Sequence, residues 1–450
     1  MNQKLVNLII GSLLHDVGKI IYRSGEKKSH SILGWEFLSK IPAFEGNTDI
    51  KECIKYHHGR ELSKAALDDN SLAYIAYVAD NISAYSDRRL ELIEGDSDSE
   101  AGFDKTAPLA SVFNILNGSN NNLNYKLKFL KDINYPTSNE ISATASNYLD
   151  IKIKLEEQLK GVQVEEKYIN SILHLLEICT SYVPSSTNTK ELGDISLYDH
   201  SKTTASIASC LFYYLEGENL KEKIFKDEKA LKDEKAFLLF SFDVSGIQNY
   251  IYTISGKGAL KALRARSLYL DLLMENIVDD LLQKTNLSRC NLIYAGGGHA
   301  YILLPNTKAT IDSLIEFEQE LKSWFLSEFG VALYVACAYV DCTGNELAQD
   351  IGSVYERVGR ELSIKKSQRY TYDDIVKLNT STREKNDREC RECKKSGPLS
   401  QDGMCNICQA LIDISPSIVQ KGLYFVVEKN KSDYSLPLPF GNNLYFKTLN

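Results

Sequence analysis

The sequence predicts an α+β protein built from several domains, and three observations carry that prediction. Apolar residues recur at helical spacing near the amino terminus, as Leu5, Ile9, Leu13 and Val17 and again as Leu72, Ile75, Val78 and Ile82. Midway, strand-like runs starting at Phe237 and Asn291 bracket a glycine-containing turn and a long basic helix. Farther on, four cysteines fall in two tight pairs. At 450 residues the chain is long enough for roughly two to four units with their own cores.

Charged residues at 25% beside 43% hydrophobic ones fit a folded chain and not a disordered one. The net charge of -8 argues against nucleic-acid binding across the whole surface and leaves only local basic patches for it. Asn7, Gly11 and Ser12 interrupt the first apolar run, and no stretch reaches the ~20 apolar residues of a membrane span. The expectation is therefore a cytoplasmic protein without a membrane partner. Cys53, Cys179, Cys210, Cys290, Cys337 and Cys342 are scattered and read as reduced thiols.

Residues 1–100 read as an all-α domain carrying polar residues that a core would not choose: His15, Asp16, Lys19, His30, His57, His58 and Asp80. Imidazole and carboxylate brought together from neighbouring helices suit a borderline divalent ion such as Mn, Ni, Fe or Zn. His58 reads as a solvent-facing neighbour of His57. Residues 101–235 read as a helical segment and linker, with helices over 149–159 and 169–178 and a polar loop over 117–124. His200 lies there, before a Ser/Thr-rich stretch, and is assigned no chemistry.

Residues 236–385 read as a sheet domain with appended helices. A buried strand over 237–242 ends at Asp243, and Ser245-Gly246 breaks it. After Gly256-Lys257-Gly258 comes a helix whose start is basic through Lys261, Arg264 and Arg266, and then a hairpin turning on Gly296, Gly297, Gly298 and His299. A helix over 314–329 and a strand over 331–342 complete a ferredoxin-like βαββαβ order. Backbone amides of a glycine turn at a helix start favour phosphate, and these cations extend that preference. Ser245, Gly246, Lys257, Arg264, Arg266, Gly296, Gly297, Gly298 and His299 are therefore the expected nucleotide-binding set. His299 stands where a pair of metal-binding carboxylates would be needed, so this domain is expected to receive a nucleotide and not to transform it.

Cys390-Arg-Glu-Cys393 and Cys405-Asn-Ile-Cys408 lie in residues 386–415. Four thiolates in two C-x-x-C knuckles match a closed, structural Zn site. Residues 416–450 read as the start of a following domain.

The run Leu14-His15-Asp16-Val17-Gly18-Lys19, with His30, Tyr56-His57 and Val78-Ala79-Asp80-Asn81, resembles an HD-type metal-dependent phosphohydrolase in circularly permuted order. With the motifs at 243–248, 257–267 and 295–300, the whole chain resembles the large subunit of type III CRISPR effector complexes, type III-A most closely. The resemblance implies a permuted HD domain with His15, Asp16, His57 and Asp80 as metal ligands and His30 as a further one. His15, Asp16 and Lys19 would then be catalytic, with Lys19 offsetting negative charge on the phosphate. The implied activity is a DNase on single-stranded DNA, activated by target RNA, using Mn, Ni or a similar metal. The implied partners are other effector subunits and CRISPR RNA. The sheet domain would be the first palm of a cyclic oligoadenylate synthetase, with ATP as ligand.

In that family a second palm carries Gly-Gly-Asp-Asp, and the motif is missing from this sequence. Synthetase activity is therefore not expected from this chain alone, and a fragment, a shortened form or a split subunit with a separate second-palm chain is expected. The alternative is a non-catalytic, nucleotide-binding scaffold with a degenerate HD site.

Overall fold

A helix that is buried on nearly every side opens the fold. The computed structural model describes residues 1–87, 102–116, 119, 121–131, 133–189, 191–253, 259–380, 388–420, 422–429 and 435–448. In it α1 (Gln3–Leu14) begins at Asn2, whose side chain accepts a hydrogen bond from the Leu5 amide at 2.8 Å. Every residue from Leu5 to Leu14 is buried, as befits a core helix. The stretch Gln3–Arg23 is long and apolar enough to cross a membrane, yet 89% of its most apolar window is buried inside the fold.

Around α1 lie α2 (Gly18–Arg23), α3 (His30–Leu38), α4 (Thr48–Lys55) and α5 (Ala73–Asp87). Next come α6 (Ala145–Leu159), α7 (Ile169–Thr180), α8 (Leu197–Tyr214) and α9 (Leu220–Asp233). A Cβ on Gly18 would stand 1.8 Å from the His30 carbonyl oxygen, so only glycine lets α2 touch the start of α3. The helix α8 packs along both α1 and α5. The bundle expected within residues 1–100 is thus not closed there, because its inner wall includes a helix from well beyond that boundary.

The sheet is formed by β1 (Phe237–Ser245), β2 (Leu292–Gly296), β3 (His299–Pro305) and β4 (Tyr334–Cys342), in the order β2-β3-β1-β4 with every neighbour antiparallel. Short α10 (Ile247–Tyr252) and long α11 (Ala259–Lys284) connect β1 to β2, and α12 (Lys308–Phe329) connects β3 to β4. This is the split βαββαβ arrangement that the spacing predicts. Alternation along β1 sorts its two faces. Leu238, Phe240, Phe242 and Val244 enter a core with α11 and α12. Phe237 and Leu239 join Leu8, Ile75, Val78 and Ile207 of the helical bundle, with Val354 and Val358 of α13 (Ile351–Ser367).

The second cysteine pair leads into α14 (Asn406–Ile414), which carries Cys408 and packs on α11. A three-stranded sheet follows, of β5 (Leu423–Glu428), β6 (Leu436–Pro437) and β7 (Asn443–Thr448) in the order β6-β7-β5. Residues 416–450, expected to open a separate domain, instead insert Leu436, Leu438 and Leu444 into the core beneath α11 and α12. Tyr269 donates its hydroxyl hydrogen to the Pro437 carbonyl at 2.5 Å, fastening the segment there.

Candidate functional site

At the end of α1, His15 donates from Nδ1 to the Ser12 carbonyl at 2.7 Å, and beyond α4 His57 donates from Nδ1 to the Ile54 carbonyl at 2.7 Å. Each bond fixes the Nδ1 proton and turns Nε2 inward. His15 Nε2 lies 3.4 Å from Asp16 Oδ2 and 3.3 Å from Asp80 Oδ1. His200, from α8, closes the group at 3.4 Å from Asp16 Oδ2 and 3.1 Å from Asp80 Oδ1. The donor atoms of His15, Asp16, Asp80 and His200 all lie within 4.8 Å of one another, and all four residues are buried.

A second group adjoins the first. His30 Nε2 is 2.7 Å from His58 Nε2 and 3.3 Å from His57 Nε2. Asp16 spans the two groups, since its other oxygen, Oδ1, lies 3.3 Å from His30 and 3.6 Å from His57. The five donors expected from the sequence are therefore divided between two clusters. His58, read from the sequence as facing solvent, belongs to the second cluster, and His200 completes the first. No neighbouring motif marks His200; the available signal was a histidine one position after Asp199, ahead of a Ser/Thr-rich stretch of the same helix.

The electrostatics suit a cation. Burial opposes charge on Asp16, but Lys19 and His15 hold its carboxyl well below the usual range. Burial likewise opposes charge on Asp80, which hydrogen bonds with His15 and His200 keep low. For His15, burial resists protonation but is outweighed by Asp16 and Asp80, which lift it to about 9. Burial pushes His30 down to about 3 and His57 well below its ordinary value. Lys19 Nζ sits 2.6 Å from Asp16 Oδ2 and donates to the Ser185 carbonyl at 3.0 Å. Facing imidazole nitrogens and ionised carboxylates form a mixed N/O donor set of the kind that divalent transition ions prefer, so the residues fit such an ion.

The four cysteines converge as well. Cys393 and Cys405 Sγ are 3.6 Å apart, and the Cys405 amide donates to Cys390 Sγ at 3.3 Å. Contact with Cys393 draws the Cys405 thiol down to about 2, and the same contact pushes Cys393 up to about 12. Four sulfur donors within 4.8 Å of one another are the set a closed tetrahedral zinc site requires.

In the sheet domain Gly246, Gly297 and Gly298 line a cavity of about 630 Å³ together with Ile247, Gln248, Asn249 and Asp271. Gly246 has φ of +96°, and a Cβ there would meet the Ala332 carbonyl oxygen at 2.2 Å. Among the described residues, the other expected nucleotide ligands are placed elsewhere. Ser245 donates to Asp243 Oδ1 at 3.4 Å, and Gly296 lies within β2 outside the cavity lining. His299 is opposite Asp243 in the β1–β3 register, with Nδ1 3.2 Å from Asp243 Oδ2 and Nε2 3.1 Å from Ser241 Oγ. Lys366 of α13 stands 2.8 Å from Asp243 Oδ1, so that carboxylate is already paired.

Arg264 is half-buried and does not line the cavity. Arg266, expected to face phosphate, is 2% exposed, because its guanidinium is spent on the Tyr250 and Thr253 carbonyls. Lys257 lies outside the described residues.

A family model for the HD domain matches residues 2–85, and one for the Csm1 subunit domain B matches residues 236–381. The chain is 43% identical to the CRISPR system single-strand-specific deoxyribonuclease Cas10/Csm1 (subtype III-A) of Enterococcus italicus, over 98% of this chain and 60% of the relative. Proteins of the same description from Mycobacterium tuberculosis and Streptococcus thermophilus are each 36% identical over 99% of this chain, and 61% and 60% of their own lengths are covered.

Among solved structures, the Csm1-Csm4 subcomplex of the type III-A CRISPR-Csm interference complex superposes with a TM-score of 0.74. At 24% identity, over 100% of this chain and 56% of that one, it speaks for the fold alone. A Csm1-Csm4 cassette in complex with cA3 superposes with a TM-score of 0.68 at 25% identity, over 92% of this chain and 52% of that one. These relatives align along nearly the whole of this chain, which spans about 60% of their length, and over that length the chain is homologous to the Cas10/Csm1 proteins of subtype III-A CRISPR systems.

Proposed function

We propose that this chain carries a metal-dependent nuclease centre for single-stranded DNA beside a sheet domain that holds ATP, within a type III-A effector complex. The observation that carries the reading is the buried quartet of His15, Asp16, Asp80 and His200, with donor atoms all within 4.8 Å of one another. The relatives' description as single-strand-specific deoxyribonucleases supports the substrate. In this reading His15, Asp16, Asp80 and His200 hold one divalent ion of the Mn or Ni type, and His30, His57 and His58 form an adjoining donor group that shares Asp16.

Such an ion would supply Lewis-acid polarisation of the phosphodiester and acidification of water at the site. The chain's own residues do the remainder. The Ser12 and Ile54 carbonyls keep His15 and His57 in the tautomer that donates outward and accepts inward. Asp16 is held ionised by Lys19, whose ammonium also lies close enough to offset charge that develops on a phosphate. Water adds in line to phosphorus, and the sugar oxygen leaves with a proton.

The sheet domain is proposed as the non-catalytic palm of an oligoadenylate synthetase, with Gly246, Gly297 and Gly298 forming the ATP cleft. Solved Csm1-Csm4 cassettes in complex with AMPPNP and with cA3 support a nucleotide there. Asp243 is ion-paired with Lys366 and hydrogen-bonded to His299, which argues against two-metal chemistry on this sheet. The four cysteines are proposed to hold a structural Zn. The proposed partners are a Csm4-type subunit, CRISPR RNA and activating target RNA, with cleavage directed at single-stranded DNA.

The test is replacement of His15 and Asp16 by Ala in purified protein supplied with Mn and single-stranded DNA. Cleavage should fall by roughly 100-fold or more. Cleavage equal to wild type would remove the nuclease assignment and leave the nucleotide-binding scaffold.

A further inference from the structure

Arg266 poses a problem that the proposed activities do not absorb. It is on α11, is 2% exposed, and is among the largest fully buried side chains. A guanidinium stays protonated in proteins, and burying one without an anion is costly. Among the described residues no carboxylate lies within ion-pairing distance of it. Its Nη1 donates to the Tyr250 carbonyl at 2.8 Å and to the Thr253 carbonyl, and its guanidinium carbon stands 5.3 Å from the Tyr250 ring centroid. Its Nη2 donates toward Cys408 Sγ at 3.9 Å.

That last contact supplies the missing charge. Four thiolates around one divalent ion remain net anionic. A buried Arg against one of the sulfurs would then be a compensated pair, and the cysteine cluster, once it held such an ion, would be the one anionic group that Arg266 meets among the described residues.

The other side of Arg266 leads to the cleft. The Tyr250 and Thr253 carbonyls lie at the carboxy-terminal end of α10. The amino-terminal end of that helix, Gly246 to Asn249, lines the 630 Å³ cavity. Asn249 also lines a second cavity of about 350 Å³, which is bounded by Arg266 and by Cys393, Cys405 and Cys408. One short helix therefore has a cleft at its first turn and a cation bound to the cysteine cluster at its last.

We propose that Arg266 is the built-in counter-cation of the four-cysteine metal site and a positioning residue for the cleft, so that metal occupancy there sets the order of α10 and the affinity for nucleotide. Its place at the start of a basic helix had suggested direct phosphate contact; its burial assigns it this indirect role. The proposal rests on the zinc and nucleotide readings given above.

The experiment combines zinc analysis, chelator-driven zinc release and binding of a fluorescent ATP analogue, on wild type, Arg266→Gln and Arg266→Lys. Wild type should contain one equivalent of zinc. Arg266→Gln should release zinc to a chelator about tenfold faster and bind the analogue about tenfold more weakly, with Arg266→Lys in between. Amide exchange in wild type keeps the test independent of how the variants fold: removing zinc should deprotect residues 247–253 and weaken analogue binding to the level of Arg266→Gln. Wild type free of zinc, or unable to bind the analogue, would overturn the underlying readings and the coupling with them. Zinc bound, with release and analogue affinity unchanged by Arg266→Gln and residues 247–253 unaffected by chelation, would overturn the coupling alone.

Discussion

His200 is the residue on which the first metal group closes. It approaches Asp16 and Asp80 from a helix that the HD-like motifs do not include, and Ser83 Oγ lies 3.2 Å from its Nδ1. Replacing His200 with Ala removes one nitrogen donor and leaves the two carboxylates with His15 alone. Affinity for Mn should fall at least ~10-fold and single-stranded DNA cleavage should fall with it, as read by titration calorimetry and a cleavage assay. His174 is a natural control, because it is exposed on α7 and, among the described residues, pairs only with Glu177, 3.0 Å away. His174→Ala should change neither quantity, and an equal loss in both variants would count against the site.

The same residue shows what a sequence hides. His15 and Asp16 were legible because adjacent residues of complementary donor type at the end of an apolar helix are hard to explain as packing. His200 was not, since its meaning lies in a contact with residues far away in the chain. Arg266 was misread for a related reason. A cation at the start of a helix can turn outward to a phosphate or inward to carbonyls and sulfur, and local sequence does not distinguish the two.

Between elements, the close approach of α2 to α3 determines whether His30 can meet Asp16. Gly18 permits that approach, since an added Cβ would collide with the His30 carbonyl and would lie 2.7 Å from the Gly34 amide nitrogen. Both obstacles are backbone, so they cannot rotate away. Gly18→Ala should therefore destabilise the protein by about 1–3 kcal/mol through overpacking and weaken metal uptake by moving His30. Thermal denaturation with and without Mn checks both parts, and an unchanged melting temperature would mean that α3 yields more easily than its packing implies. At this scale the sequence was informative where periods were short. The βαββαβ order followed from strand runs and a glycine hairpin, whereas the limits of the helical bundle did not, because α8 joins it only through tertiary packing.

At the scale of the whole molecule, one hydrophobic cluster runs from Leu8 and Val78 through Ile207 to Phe237, Leu239 and Val354. The helical bundle and the sheet domain therefore share a core, and the boundary drawn at residue 235 passes through it. Composition and spacing identify pieces with distinct chemistry, but they say little about whether those pieces bury surface against each other.

The contact between His15 and His200 joins positions 185 residues apart, so one end of the candidate metal site is remote from the other along the chain. Closing so long a loop costs entropy that grows with the logarithm of its length, and non-local contacts of this kind form late in folding. An ion that needs both ends has little to bind in the folding transition state. Manganese should therefore act as a brake on unfolding: at 100 times its dissociation constant it should slow unfolding by about 100-fold and leave the refolding rate unchanged. Stopped-flow denaturation with and without the ion measures both limbs. Faster refolding in manganese would mean that the two histidines meet early.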